Sequence, residues 1–254
     1  MADDLYPLIY LNKELLYLRN KKIMEYDIAS GGYSCSLNHD LLSDSEKNIL
    51  LKLNKKEKQI FLGNKARDEK EFTKLLHLAF REEISNFVNK NTINENNILS
   101  IKKDSITLFN SNITYLKNNN VTFIKKMDFT SYLLLGKLEF YYNGKTDEKL
   151  VKGLSLINFE GTLVEEIFTI LKMKEYKQDR DIYDYIKLLR NNYLKKDLIN
   201  SYYKELSPLN AYRLNLDLAG NSIYLDDLPE ESFEDINIEY NYKNIILPLI
   251  KIFI

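Results

Sequence analysis

The chain has 254 residues, 44% of them apolar and 29% charged, with 36 Lys and Arg against 37 Asp and Glu. This is the balance of a globular protein with a sizeable core, and a net charge of −1 excludes a strongly basic nucleic-acid coat. A single cysteine, Cys35, and two histidines, His39 and His77, exclude an internal disulfide framework and Cys- or His-rich metal sites. The acidic start Met1-Ala2-Asp3-Asp4 is unlike a secretory signal. No apolar run reaches the ~18 residues of a spanning helix. A cytoplasmic protein without membrane association is expected.

Charge is uneven along the chain. Residues 1–130 hold 20 basic and 17 acidic side chains, residues 131–254 hold 16 and 20, so any phosphate contact belongs to the first half.

In chain order, the Leu, Tyr, Lys and Arg mixture of 5–20 predicts a helix, and Lys22 to Ile28 a strand rich in β-branched and aromatic residues. Ala29-Ser30-Gly31-Gly32 breaks that strand where glycine permits a tight turn or a close backbone approach. Ser43-Asp44-Ser45-Glu46 opens a helix with capping residues. The clearest helix runs from Arg67 to Lys90, where Phe72, Leu75, Leu76, Ala79, Phe80, Ile84 and Phe87 recur at three- and four-residue steps. At about 100° per residue, Arg67, Lys70, Lys74, His77 and Arg81 form a basic row opposite that stripe. Such a row reads either as a solvated face or as a rail for phosphates.

An Asn-rich loop over 89–97 precedes a hairpin, with strand 98–101, turn Lys102-Lys103-Asp104 and return strand 105–109. Further strands are expected at 121–124 and 137–142, then helices at 159–173 and 183–203. Residues 226–239 carry seven acids and no base, and 245–254 form an apolar end, read as a docked terminal element or a partner contact. Composition changes from mixed to helical near 150–158, so two regions are expected, 1–155 and 156–254.

The chemistry-bearing feature is a pair of aspartates at strand ends. Asp27 closes one strand, and Asp104 sits at the hairpin apex. Two carboxylates on adjacent strands suit Mg²⁺ or Mn²⁺, since hard cations take oxygen ligands, and a two-metal pair activates a hydroxyl and stabilises a leaving pyrophosphate. A basic helix nearby neutralises triphosphate. Each aspartate alone also reads as an ordinary turn residue; the pair in this order carries the functional reading. Cys35 and His39 lack an orienting third group for nucleophilic catalysis. Neither a G-x-x-x-x-G-K-[ST] loop nor G-x-G-x-x-G is present, and the 19 tyrosines suit base stacking and burial equally.

Tyr26-Asp27-Ile28-Ala29-Ser30-Gly31-Gly32-Tyr33 resembles the first palm motif of family-A and single-subunit phage polymerases. Leu99-Ser100-Ile101-Lys102-Lys103-Asp104-Ser105-Ile106 resembles their third. The resemblance spans roughly residues 20–143, with Lys55 to Gly63 loosely matching the fingers helix that meets the incoming nucleotide. Three departures stand out: the aspartates lie closer in sequence than in full polymerases, Lys-Lys-Asp replaces the usual His-Asp, and the length excludes a full thumb or exonuclease. The resemblance implies an α+β fold, a palm-like antiparallel sheet with packed helices followed by a mainly helical C-terminal region. It implies a minimal polymerase-like or primase-like nucleotidyltransferase in which Asp27 and Asp104 hold Mg²⁺ or Mn²⁺. Lys58, Lys70, Lys74, Arg81 and Lys103 would then face nucleotide or nucleic acid. Two alternatives stand beside it. One is a non-enzymatic structural or interaction protein of a viral assembly, with a protein partner at the C-terminal region. The other is a Mg²⁺-dependent nuclease.

Overall fold

The computed structural model describes residues 5–154, 159–176, 179–204 and 236–253, with only the backbone described over 236–238. The chain forms two compact units: Met1–Asn12 with Lys22–Asp128, and Lys13–Lys21 with Phe129–Ile254. The division after 128 precedes the compositional change near 150–158, which marks where helices begin inside the second unit. The fold is α+β, as expected: antiparallel sheets with packed helices and a helical C-terminal part.

The first unit is built on a six-stranded sheet. Its strands are β1 (Ile9–Leu11), β3 (Ile23–Ile28), β4 (Ile98–Lys102), β5 (Ser105–Phe109), β6 (Lys117–Asn118) and β7 (Val121–Phe129), in the order β1-β4-β5-β3-β7-β6. Between β3 and β4 come α1 (Gly31–Asn38), α2 (Asp44–Lys52), α3 (Lys55–Asp68) and α4 (Lys70–Lys90). Ser43 with Glu46 and Asn54 with Glu57 form reciprocal capping boxes that start α2 and α3. Glu69, extended at φ −117° and ψ 95°, separates α3 from α4, so the helix expected from Arg67 begins at Lys70.

The helices cover one face of this sheet. Met24, Tyr26 and Ile28 of β3, Ile106 and Leu108 of β5 and Val121 and Phe123 of β7 share a core with Leu76, Phe80, Ile84 and Phe87 of α4. Phe87 stacks on Phe123 with ring centroids 4.1 Å apart. Because strand side chains alternate, Asp27 of β3 and Lys126 of β7 belong to the opposite face.

The second unit holds a four-stranded antiparallel sheet of β2 (Tyr17–Leu18), β8 (Ser131–Leu135), β9 (Leu138–Asn143) and β10 (Glu148–Lys152), ordered β10-β9-β8-β2. Helices α5 (Leu163–Tyr176), α6 (Asp179–Leu194), α7 (Ile236–Asn241) and α8 (Leu247–Phe253) follow, with a π turn over Tyr242–Ile246 joining the last two. Ile245, Ile246, Leu249 and Phe253 are buried in this unit's core, so the described part of the apolar end is docked on it.

Two expectations are corrected. Residues 5–20 form no helix: they supply β1 and β2, because Ile9–Leu11 pairs with Ser100–Lys102 and Tyr17–Leu18 with Tyr132–Leu133. The helix expected over 183–203 starts at Asp179 and ends at Leu194, with only a 3₁₀ turn at Asn200–Tyr203. Most of the acidic stretch 226–239 lies outside the described residues.

Candidate divalent-cation site at the aspartate pair

The site grows from strand register. β3 and β5 run antiparallel with Asp27 opposite Ser105, the residue that follows Asp104. The Ile28 N–H donates to the Asp104 carbonyl at 2.9 Å, locking the hairpin turn to the end of β3. Lys102 pairs with Ser105, leaving Lys103 and Asp104 as the two turn residues, and Lys103 adopts φ 55°. A non-glycine residue in this left-handed region is uncommon. Here the Lys103 N–H is held by the Leu8 carbonyl at 2.8 Å.

Past β3, Ser30 is also left-handed, φ 52°, and turns the chain directly into α1. Gly31, the first residue of that helix, lies against Asp104: a Cβ placed on it would stand 2.3 Å from Asp104 Oδ2. The close backbone approach expected of the Gly31-Gly32 pair is therefore to a carboxylate.

The electrostatics match this crowding. Burial first, and the negative charge of Asp27 second, raise the Asp104 carboxyl above the ordinary aspartate value. Lys103 and Lys126 oppose that shift. Lys126 of β7 reaches Asp27, with Nζ 3.4 Å from Oδ2. A partly desolvated like-charge pair suits a hard divalent ion, and the missing Cβ of Gly31 is what lets the Asp104 carboxylate lie against the backbone of α1. No third His, Cys, Asp or Glu joins the pair to make a metal-ligating group among the described residues. Waters, backbone carbonyls or substrate oxygens would complete the coordination.

The basic residues divide. Lys103 adjoins Asp104 in the turn, exposed, and its charge also reaches His77 of α4; burial, then Lys103, hold that imidazole below its usual value. Lys58 of α3 sits 4.3 Å from the ring centroid of Tyr33, in the first turn of α1. Lys70 opens α4 exposed, and Lys74 is exposed and 3.5 Å from Glu71. Arg81 is committed elsewhere: its guanidinium donates to the Tyr6 carbonyl at 2.8 Å and the Leu5 carbonyl at 3.1 Å, tying down the N-terminal segment.

Cys35 and His39 form no catalytic pair. Burial, with Glu83 and Asp104 nearby, pushes the thiol well above its ordinary value. His39 turns to glutamates, Nε2 at 2.8 Å from Glu83 and Nδ1 at 3.2 Å from Glu82. Glu83, 1% exposed, also accepts from Asn38 at 2.7 Å and from Asn118 at 2.9 Å, a satisfied buried network. Lys126 escaped the sequence reading. Its signal, a Lys-Lys step within a strand, gains meaning only from β7 lying beside β3.

Fold and site define an α+β protein with a half-buried carboxylate pair at one end of an antiparallel sheet, and the comparison with protein families adds a phage origin. The chain belongs to the family described as Bacteriophage PBS1 gene 130 protein, which it matches over residues 1–254. No curated protein matches it. No helix among the described residues is long and apolar enough to cross a membrane.

Proposed function

We propose that this phage protein is a metal-dependent nucleotidyltransferase of minimal polymerase-like or primase-like type, acting on nucleotides and nucleic acid in the host cytoplasm. The supporting observation is the register that sets Asp27 opposite Ser105, so that two aspartates 77 positions apart in sequence influence each other's charge. Mg²⁺ or Mn²⁺, when bound, supplies activation of the attacking hydroxyl and charge neutralisation at the leaving pyrophosphate. Asp27 and Asp104 hold the ion, Asp104 fixed by its turn and by the Ile28 N–H on its carbonyl. Lys103, beside Asp104, and Lys58, set on Tyr33, offer positive charge to phosphate oxygens. Lys70 and Lys74 extend that charge along α4, while Arg81 holds the N-terminal segment to the same helix.

The test is incubation with labelled nucleotides, a primed template and Mg²⁺ or Mn²⁺. Incorporation by the wild type, lost in both Asp27→Ala and Asp104→Ala, is expected. Incorporation that survives either change removes the reading.

A second reading, a non-enzymatic interaction protein of a viral assembly, draws support from apolar side chains left exposed on α2 and α3: Leu51 at 69% and Ile60 at 55%. Self-association abolished by Leu51→Glu, in a protein without incorporation activity, is the outcome that favours it.

A further inference from the structure

We infer that Lys126 is the resident counter-cation of the aspartate pair, and that a divalent ion binds only as this ammonium leaves. The inference rests on the metal-site reading above and assigns a role to a residue outside the palm-like motifs. Lys126 extends from β7, the neighbour of β3, on the sheet face it shares with Asp27. Its ammonium is 3.4 Å from Asp27 Oδ2, and its charge is felt at Asp104 as well. An ammonium and a divalent ion on the same carboxylate oxygens repel each other across a few ångströms of partly desolvated space. Yet the hold is breakable: the lysine side chain is 41% exposed, carries its charge on a flexible stem, and makes one contact rather than a bidentate fork. Such a residue offsets the repulsion of two neighbouring carboxylates before metal arrives, at the expense of metal affinity.

Lys125 provides an internal comparison. It precedes Lys126 on the same strand, and its ammonium pairs with Asp128 at 2.7 Å and not with Asp27. Removing it changes net charge by the same amount without touching Asp27.

The experiment measures Mn²⁺ binding by the full chain without nucleotide, from the resonance signal of free Mn²⁺. Lys126→Ala, Lys126→Gln and Lys125→Ala are compared with wild type. Mn²⁺ affinity is expected to rise about fivefold in both Lys126 variants, the scale of losing one partly exposed ion pair, and to change less than about twofold in Lys125→Ala. Equal affinities in all four proteins overturn the inference while leaving the metal site standing. So does a Lys126 variant that binds more weakly than wild type. An equal rise in Lys125→Ala reduces the effect to bulk charge and overturns it too. Absence of binding in every protein sinks both the inference and the metal reading.

Discussion

The sheet end of the first unit and helix α5 of the second treat their partly buried carboxylates in opposite ways. In the second unit Glu166 is met by the hydroxyls of Tyr185 and Tyr202, and Glu175 by those of Thr130 and Ser131. Each is neutral donors around one charge, an arrangement that stabilises a core edge. At the sheet end of the first unit, half-buried Asp104 feels the charge of another carboxylate and lies against a backbone position with no room for a side chain. Like charges held together by strand register oppose folding. On the proposed reading, their presence at a strand end serves a cation more than stability.

The difference is open to direct attack. Gly31→Ala should have the largest effect, since its Cβ would collide with Asp104 Oδ2 at 2.3 Å. A loss of about 2 kcal/mol in denaturant unfolding is expected from such overpacking, whereas Gly63→Ala, which meets nothing within 4 Å, should be neutral or stabilising. Glu83→Ala belongs to the same range: it leaves Asn38, His39 and Asn118 without their buried acceptor, at a cost of about 2–3 kcal/mol. Comparable stability in Glu83→Ala and wild type would show that the network contributes nothing.

Smaller and opposite in sign is Asp104→Asn. A carboxyl whose folded value lies above its unfolded 3.8 favours the unfolded chain once pH rises past 3.8, because the unfolded state ionises first. The metal-free variant should therefore be more stable than wild type at neutral pH. The gap should close as pH falls below 3.8, a comparison that urea unfolding at a series of pH values makes. Glu46 shows the reverse linkage. Its bond to Lys65 at 2.6 Å brings its carboxyl down to about 2 from 4.5, so its contribution is present above 4.5 and fades as pH falls toward 2. Lys65→Met should cost about 1 kcal/mol at pH 7 and almost nothing near pH 2.

Local chemistry made part of this legible from residues alone. The hairpin with Asp104 at its apex, the apolar stripe of α4 apart from exposed Leu75, and the close approach at Gly31 all follow from short-range pattern. What was hidden depends on distant partners. Residues 5–20 read as helical because Leu and Tyr recur there. Their strands exist only through pairing with residues about 90 and 115 positions away, as Ile9 with Lys102 and Tyr17 with Leu133 show. Strand β8 is buried at all five positions and offers no alternation to detect. The basic row read on one helix is split, with Arg67 on α3, and Arg81 finds its partners in carbonyls 75 and 76 residues earlier in the chain. Lys126 became a site residue through strand order alone.

The central claim is that Asp27 and Asp104 together form a divalent-cation site. Thermal unfolding of the wild type, Asp27→Asn and Asp104→Asn, each with and without millimolar Mn²⁺, tests it most directly, because an ion that binds only the folded chain raises its melting temperature. The account predicts a Mn²⁺-dependent rise in the wild type that both variants lose. An equal rise in all three proteins, or none in the wild type, would contradict it.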